Sequence, residues 1–421
     1  MDARHGKSVP YVISDEVAKT YETLLADVQV KAALQFTEWD HQTTIEDQIR
    51  ITEIPAPPFM EETRKLYYQA CLEGLGLQDV TTDAEGNVFG VRKGSGNGPR
   101  IFVSAHLDTV FPEGTDTTVK ERDGILYAPG IADDGRGLAV TLAVLRALNH
   151  ANIQTQGDII FGATVGEEGL GDLRGVKAFF RDHHVDGFIS IEPDSPARVT
   201  YLATGSHRYR ITYHGPGGHS FGAFGIPSAI HAMGRAIAMI SDITVPEVPK
   251  TTFTVGTVSG GTSVNTIAAE AQMMIDMRSN SEQALLQLEE EVLRRVRQAA
   301  QEENKRWNSD AITIHIELVG NRPAGSQSSD AIIVQAALAS AKAIGFEPTL
   351  DGPSSTDSNV PISLGIPAVT LGGGGQCGGL HTLQEFYDPT DGHYGVQKVL
   401  LTVLGLVGVK DVSDPLLKPT K

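Results

Sequence analysis

Five separate segments of this 421-residue chain present side chains from which divalent-metal sites are built. The apolar run RIFVSA leads into His106-Leu107-Asp108, DIIFGATVG into Glu167-Glu168, GFISI into Glu192, and AVTLGGGG into a loop reaching His381. Asp133 lies in PGIADDGRG, just ahead of an apolar helical segment. Residues i and i+2 share one face of a strand, so Asp108 can reach the imidazole of His106 and orient it, as the partner of a metal-bound histidine must. Two histidines with three or four carboxylates suit zinc, cobalt or manganese better than calcium. The set is too large for one tetrahedral ion, but it suits two ions bridged by a carboxylate. Such a pair activates water and polarises a carbonyl, and a carboxylate outside the ligand set can move the proton.

Each fragment also has an ordinary reading. His-x-Asp at a strand end can be a surface turn, and Asp133-Asp134 beside glycines a turn with a helix cap. Glu167-Glu168 can be a solvated pair, and His381 is one of 13 histidines. Their joint placement shifts the balance. Four of the segments stand at the carboxyl ends of expected strands, where open α/β sheets gather their ligands. Two adjacent carboxylates directly after IIFGATV are costly unless a positive charge lies between them.

The elements that must position these residues follow from the texture of the chain. From Asn97 onward, short apolar runs alternate with glycine loops and helical segments, and AIIVQAALASAKAIGF with IPAVTLGGGG restores that texture near the end. This is an α/β fold, a mixed sheet with parallel character flanked by helices. The first stretch, to about residue 45, is a helical extension in which Glu16–Phe36 carries apolar residues at helical spacing. Between the two halves stands a different pattern. HRYRITYHG is a strand, PSAIHAMGRAIAMIS a helix starting on Pro227, and TTFTVGTVSGG and AEAQMMIDMRS are strands. A helix over Glu282–Lys305, with Ser279 and Glu282 as its capping box, and the strand AITIHIELVG complete a βαββαβ order. That order predicts an inserted ferredoxin-like unit. The expected domains are 1–204 and 323–421, forming one catalytic domain, and 205–322 as the insertion.

Composition narrows the partners. Lys and Arg total 34 against 52 for Asp and Glu, a net charge of −18, which argues against nucleic acid or an anionic membrane surface. No apolar run is long enough to span a bilayer, and MDARHGKSVPYVISDEVAKTYE lacks the apolar core of a signal peptide. Cys71 and Cys377 are the only cysteines, so no disulfide framework is expected, and a cytoplasmic setting fits. The glycine cluster GGGGQCGG could cradle a phosphate. However, no Walker lysine–serine/threonine pair follows it, and no G-x-G-x-x-G opens a helix after an early strand.

Taken in order, SAHLDTV, GIADDGRG, GEEG, SIEPD, GPGGHS and GGLHT resemble the co-catalytic zinc exopeptidase family, which includes carboxypeptidase G, peptidase T, bacterial dipeptidases, acetylornithine deacetylase and aminoacylases. The resemblance covers about residues 50–400. It implies that Asp133 bridges two metal ions, that His106 and Glu192 hold one, and that Glu168 and His381 hold the other. Glu167 would be the general base and Asp108 the carboxylate behind His106, with a cis peptide after Asp133. The inserted domain would be a lid and dimerisation domain, giving a homodimer. In it, His219 of GPGGHS would polarise the scissile carbonyl in the partner's site, and Asn265 of SVNTIAAE would touch substrate. Arg322 of NRPAG would hold a substrate carboxylate. Turn residue, cap and hinge residue remain the ordinary readings of these three. Many relatives have a lysine right after the second aspartate; here Gly135 and Arg136 follow, and no ligand is lost. The activity implied is hydrolysis of an amide near a peptide terminus by two zinc ions, with cobalt or manganese as alternatives. A peptidase T-like aminopeptidase or dipeptidase leads, acting on short peptides. The alternative is an N-acyl-amino-acid amidohydrolase using the same centre.

Overall fold

The computed structural model describes residues 11–96 and 98–420. The first ten residues of the stretch read for a signal peptide, and Asn97, therefore lie outside the described residues. The chain divides into two compact units, one formed by residues up to 203 with those from 326 onward, the other by 204–325.

The larger unit is built on an eight-stranded mixed sheet. Its order is Gln78–Thr82, Val88–Arg92, Asp158–Thr164, Arg100–His106, Gly187–Glu192, Ala368–Gly372, Arg198–Thr200 and Thr349–Asp351. The four central strands, Asp158–Thr164 to Ala368–Gly372, are mutually parallel, with Ala105 opposite Ala163, Val103 opposite Ile189 and Leu371 opposite Ile191. Both faces of a parallel sheet are covered, which is why these strands read as continuous apolar runs. Helices Gly135–His150, Ile332–Ala343 and His393–Val407 supply much of that cover, and their side chains join the sheet in one core.

The expected helical run Glu16–Phe36 is two helices, Asp15–Ala26 and Val28–Trp39. Asp27 ends the first and caps the second, its carboxylate accepting from the N–H groups of Gln29 and Val30. These helices, with His41–Thr52, belong to the core of the sheet: Val17, Leu24, Val30 and Ile51 are fully buried in it. Arg146 of the helix Gly135–His150 pairs with Asp40 at 2.8 Å and Asp47 at 2.6 Å, fastening the amino-terminal helices to the element that Asp134 caps.

A second, small antiparallel sheet runs in the order Gln376–Gly378, Phe386–Asp388, Ile125–Tyr127, Lys120–Arg122. It joins the hairpin carrying His381 to the chain that leads into Asp133.

The smaller unit is a four-stranded antiparallel sheet, order Thr251–Gly260, Glu270–Ser279, Gly205–His214, Thr313–Arg322, packed with helices Ala229–Ser241 and Glu282–Arg306. This is the ferredoxin-like βαββαβ arrangement, with strands in the spatial order 2-3-1-4. Two local expectations are corrected. The helix expected from Pro227 starts at Ala229, with Ser228 at its N-cap position. The cap of the long helix is Ser281, whose hydroxyl accepts from the Ala284 N–H. Ser279 is the last residue of a strand, and its hydroxyl bonds instead to Thr251 across the sheet and to the Ser281 N–H. No helix among the described residues is long and apolar enough to cross a membrane.

Candidate metal centre

The carboxyl ends of the central strands gather the expected residues of the larger unit. His106 closes strand Arg100–His106, Glu192 closes Gly187–Glu192, and Glu167-Glu168 follow Asp158–Thr164. Asp133 sits in the loop before the helix that starts at Gly135, and its peptide with Asp134 is cis. His381 occupies the tip of the hairpin between Gln376–Gly378 and Phe386–Asp388, with a left-handed φ of 63°.

Asp133 is the focus of the geometry. Its Oδ1 lies 3.0 Å from Nε2 of His106, and its Oδ2 lies 3.0 Å from Nε2 of His381. Nε2 of His381 is also 2.9 Å from Oε1 of Glu168, and Nε2 of His106 is 4.0 Å from Oε2 of Glu192. Two groups have ligand atoms close enough to share one ion: His106, Asp133 and Glu168, and His106, Asp134 and Glu192.

The donor set can be tested by the tautomer of His106. Its Nδ1 faces the backbone carbonyl of Asp108 at 2.8 Å. A carbonyl only accepts, so that nitrogen carries the proton and Nε2 of the neutral ring holds a lone pair. A lone pair facing a carboxylate at 3.0 Å requires a cation between them or a second proton on the ring. Without metal the ring takes the proton. Burial opposes its charging, but Asp108 and Asp133 hold the His106 pKa well above the usual histidine range. Hydrogen bonding to Asp133, then to Glu168, raises that of His381 to about 10. Burial pushes Asp134 and Glu192 well above the usual carboxylate range, and neighbouring carboxylates add to it. A divalent ion relieves both conflicts, so the residues fit a metal centre.

The role expected for Asp108 is redistributed. Its backbone carbonyl, not its carboxylate, meets the His106 ring, whereas its Oδ1 stands 3.7 Å away. The fully buried carboxylate accepts the N–H of Glu167 at 3.0 Å and of Glu168 at 2.8 Å. It therefore sets the backbone from which both glutamates project. Asp134 acts similarly: one oxygen accepts the His106 N–H and the other caps the following helix at Gly137.

Two positioning residues were not singled out in the sequence. Glu385, four residues beyond His381 and fully buried, accepts the N–H groups of Gly130, Ala132 and Asp133 at 3.1, 2.9 and 3.0 Å. It clamps the Asp133 loop to the His381 hairpin. Arg64, also fully buried, donates to the carbonyls of Ile54 and Leu107 at 2.8 Å, fixing the chain between His106 and Asp108. Arg136 is fully buried too, donating to the carbonyls of Gly373 and Gly392 at 2.8 and 2.6 Å.

The glycine cluster has a packing role. A Cβ on Gly372 would lie 2.3 Å from the Ser195 carbonyl oxygen, so only glycine lets this strand end approach the chain beyond Glu192. The N–H groups of Gly373 and Gly374 are given to the carbonyls of Glu192 and Asp194, which leaves those two unavailable to a phosphate.

The remaining candidates lie in the smaller unit. His219 is exposed in the short ribbon where Gly218–His219 pairs with Thr266–Ile267. Asn265 adjoins it, its carbonyl accepting the Ser220 N–H at 2.9 Å. Nδ1 of His219 accepts the N–H groups of Phe221 and Gly222 at 3.2 Å, so the neutral ring carries its proton on Nε2. Arg322 is not brought near this pair. It is buried opposite Ser206, whereas the ribbon follows His214, about 26 Å along the same strand at the usual rise per residue.

Residues 102–404 match the peptidase family M20/M25/M40. An uncharacterised protein, YqjE, of Bacillus subtilis is 27% identical over 319 residues, covering 73% of this chain and 81% of that protein. A succinyl-diaminopimelate desuccinylase of Nitrosococcus oceani is 28% identical over 221 residues, 47% of this chain and 59% of the enzyme. A solved tripeptidase of Staphylococcus aureus has the same fold, with a TM-score of 0.72 at 23% identity over 86% of this chain and 97% of that one. The family match over most of the chain, joined to a cluster of histidines and carboxylates fit for metal, makes this protein a member of peptidase family M20/M25/M40, a metal-binding hydrolase of amide or peptide bonds.

Proposed function

We propose that this hydrolase is a dinuclear exopeptidase cleaving short peptides near a terminus, a reading supported by the shared fold of a protein named a tripeptidase. The carrying observation is a single carboxylate, Asp133, offering one oxygen to each of two imidazoles at 3.0 Å. In this reading Asp133 would be shared between two ions, His106 and Glu192 would hold one, and Glu168 and His381 would hold the other. Two zinc ions, or cobalt or manganese, supply an acidified water and a polarised carbonyl when bound. Glu167 is the general base, a carboxylate whose backbone shares the Asp108 clamp with Glu168. It takes the proton of the attacking water and returns it to the leaving amine.

The smaller unit is the lid and dimerisation domain of a homodimer. Its His219 offers an Nε2–H donor to the carbonyl oxygen in the partner's site, beside Asn265. Arg322 holds a substrate carboxylate. An N-acyl-amino-acid amidohydrolase is the second reading, favoured by the similarity to a desuccinylase.

Metal-loaded protein assayed on dipeptides, tripeptides and N-acetyl amino acids separates the two readings. Turnover of the acylated set alone would remove the peptidase. Glu167→Ala is expected to lower kcat at least about a hundredfold, as loss of a general base does, with both metals retained. If metal content falls with the rate, the roles of Glu167 and Glu168 are wrongly divided.

A further inference from the structure

A cavity of about 650 Å³ opens in the larger unit, bounded by the small sheet and residues 114–118. Its floor includes Ala128 and Pro129, four residues before Asp133 at the nearest, and its wall Leu383, two residues after His381. An extended chain covers at most about 3.6 Å per residue, so these walls lie within roughly 14 Å and 7 Å of the two side chains' backbones. A span of about two to four extended residues covers these distances, the length of a short peptide substrate.

The lining has a definite charge. In strand Lys120–Arg122, alternation puts Lys120 and Arg122 on one face and Glu121 on the other. Lys120 stands opposite Tyr127, and all three of Lys120, Arg122 and Tyr127 line the cavity. Glu121 stands opposite Leu126, whose side chain is buried in the cluster with Ile131 and Tyr387, so this acid belongs to the other face. Lys120 has a partial counter-ion in Asp116, 3.6 Å away and also on the rim. Arg122 has its guanidinium 5.6 Å from the Tyr127 ring centre and no carboxylate partner among the described residues. The hydroxyls of Thr115 and Thr118 add neutral polar groups. In a chain of net charge −18, two cations directed into one cavity with one acid between them are an uneven allocation.

We propose that this cavity is a specificity subsite for a carboxylate on the substrate, with Arg122 as its principal contact and Lys120 as its second. The proposal rests on the peptidase reading and adds a substrate class to it: short peptides bearing a carboxylate away from the scissile bond. The planar guanidinium, held over an aromatic ring, presents paired donors that match a carboxylate and not a carboxamide.

The test compares kcat/KM for Ala-Ala-Glu, Ala-Ala-Gln and the carboxyl-amidated form of Ala-Ala-Gln on the metal-loaded protein. A side-chain carboxylate is the source if the first exceeds the second; a terminal carboxylate is the source if the second exceeds the third. Either preference is expected near tenfold, the size of one partly exposed charge-assisted contact. Arg122→Gln and Lys120→Gln should each reduce the ratio, and Glu121→Gln on the opposite face should leave it as it was. The preference should also shrink as salt rises. Glutarate titrated against glutaramide by calorimetry reads the same subsite without turnover. Equal rates on all three peptides, or a ratio that survives both cationic substitutions, overturns the subsite while leaving the hydrolase intact. Arg122-dependent glutarate binding with no hydrolysis of any peptide supports the subsite and removes the peptidase reading. Neither binding nor hydrolysis removes both.

Discussion

Among the described residues Glu385 touches no imidazole, yet three N–H donors of the Asp133 loop converge on its carboxylate. Burial pushes its pKa up to about 7, and the three donors work against that push by favouring the ionised form. Glu385→Ala orphans all three donors. It is expected to weaken metal binding by about tenfold to a hundredfold, the usual scale for a lost supporting contact at a metal site. Glu385→Gln keeps one oxygen and should restore part of the loss. Chelator competition for bound zinc measures both, with thermal melts to confirm folding, and an unchanged affinity in the alanine variant sinks the clamp. At this scale the sequence is legible where polarity interrupts an apolar run: His106, Glu167, Glu168 and Glu192 all stand at such breaks. Glu385 and Arg64 do not. A glutamate in a loop and an arginine in an amphipathic helix read as solvated charges, and only tertiary packing buries them. Asp108 shows a different shortfall, because spacing places it on the face of His106 but does not say which of its oxygens the ring will meet.

Elements were readable in proportion to their length. The long parallel strands and the ferredoxin-like order follow from runs of apolar residues with enough turns or pleats to display a period. The small sheet did not, since its strands have three residues each and show no period at all. The Asp27 break inside Glu16–Phe36 was hidden because helical spacing of apolar residues persists across it. Helix His393–Val407 adds a testable oddity. Every residue from Gly395 to Val407 is buried, including Lys398, whose ammonium donates to the Arg198 carbonyl. Burial lowers its pKa to about 7 from 10.5. Below pH 7 the lysine is charged in both folded and unfolded chains, and its burial counts fully against folding. Between about pH 7 and 10.5 the folded chain has shed a proton that the unfolded chain keeps, so this group's contribution to stability rises by up to about 1.4 kcal/mol per pH unit. Lys398→Met should flatten that rise, and its advantage in Tm over the parent should be larger at pH 6.5 than at pH 9.5. An advantage independent of pH would show that the amine is not buried as charged.

For the whole molecule, the separation of Arg322 from the His219–Asn265 ribbon within the smaller unit bears on the proposed dimer. If His219 serves a second copy, neither Glu167→Ala nor His219→Ala homodimers should turn over substrate appreciably. Mixed dimers of the two should recover a fraction of parental kcat, because one of their two sites draws both groups from intact sequences. No recovery in dimers confirmed as mixed would confine His219 to a role within its own chain.

The distance along the chain between the residues facing Asp133 has a consequence for biosynthesis. His106 precedes it by 27 residues, whereas His381 follows it by 248. A ribosome adding about 5–20 residues each second needs on the order of ten seconds or more to cover that interval. From Glu192 onward the nascent chain carries His106, Asp133, Glu168 and Glu192 but lacks the His381 imidazole and the Glu385 clamp. On the proposed ligand assignment, a hydrolase assembled in this order becomes competent only once His381 has been made.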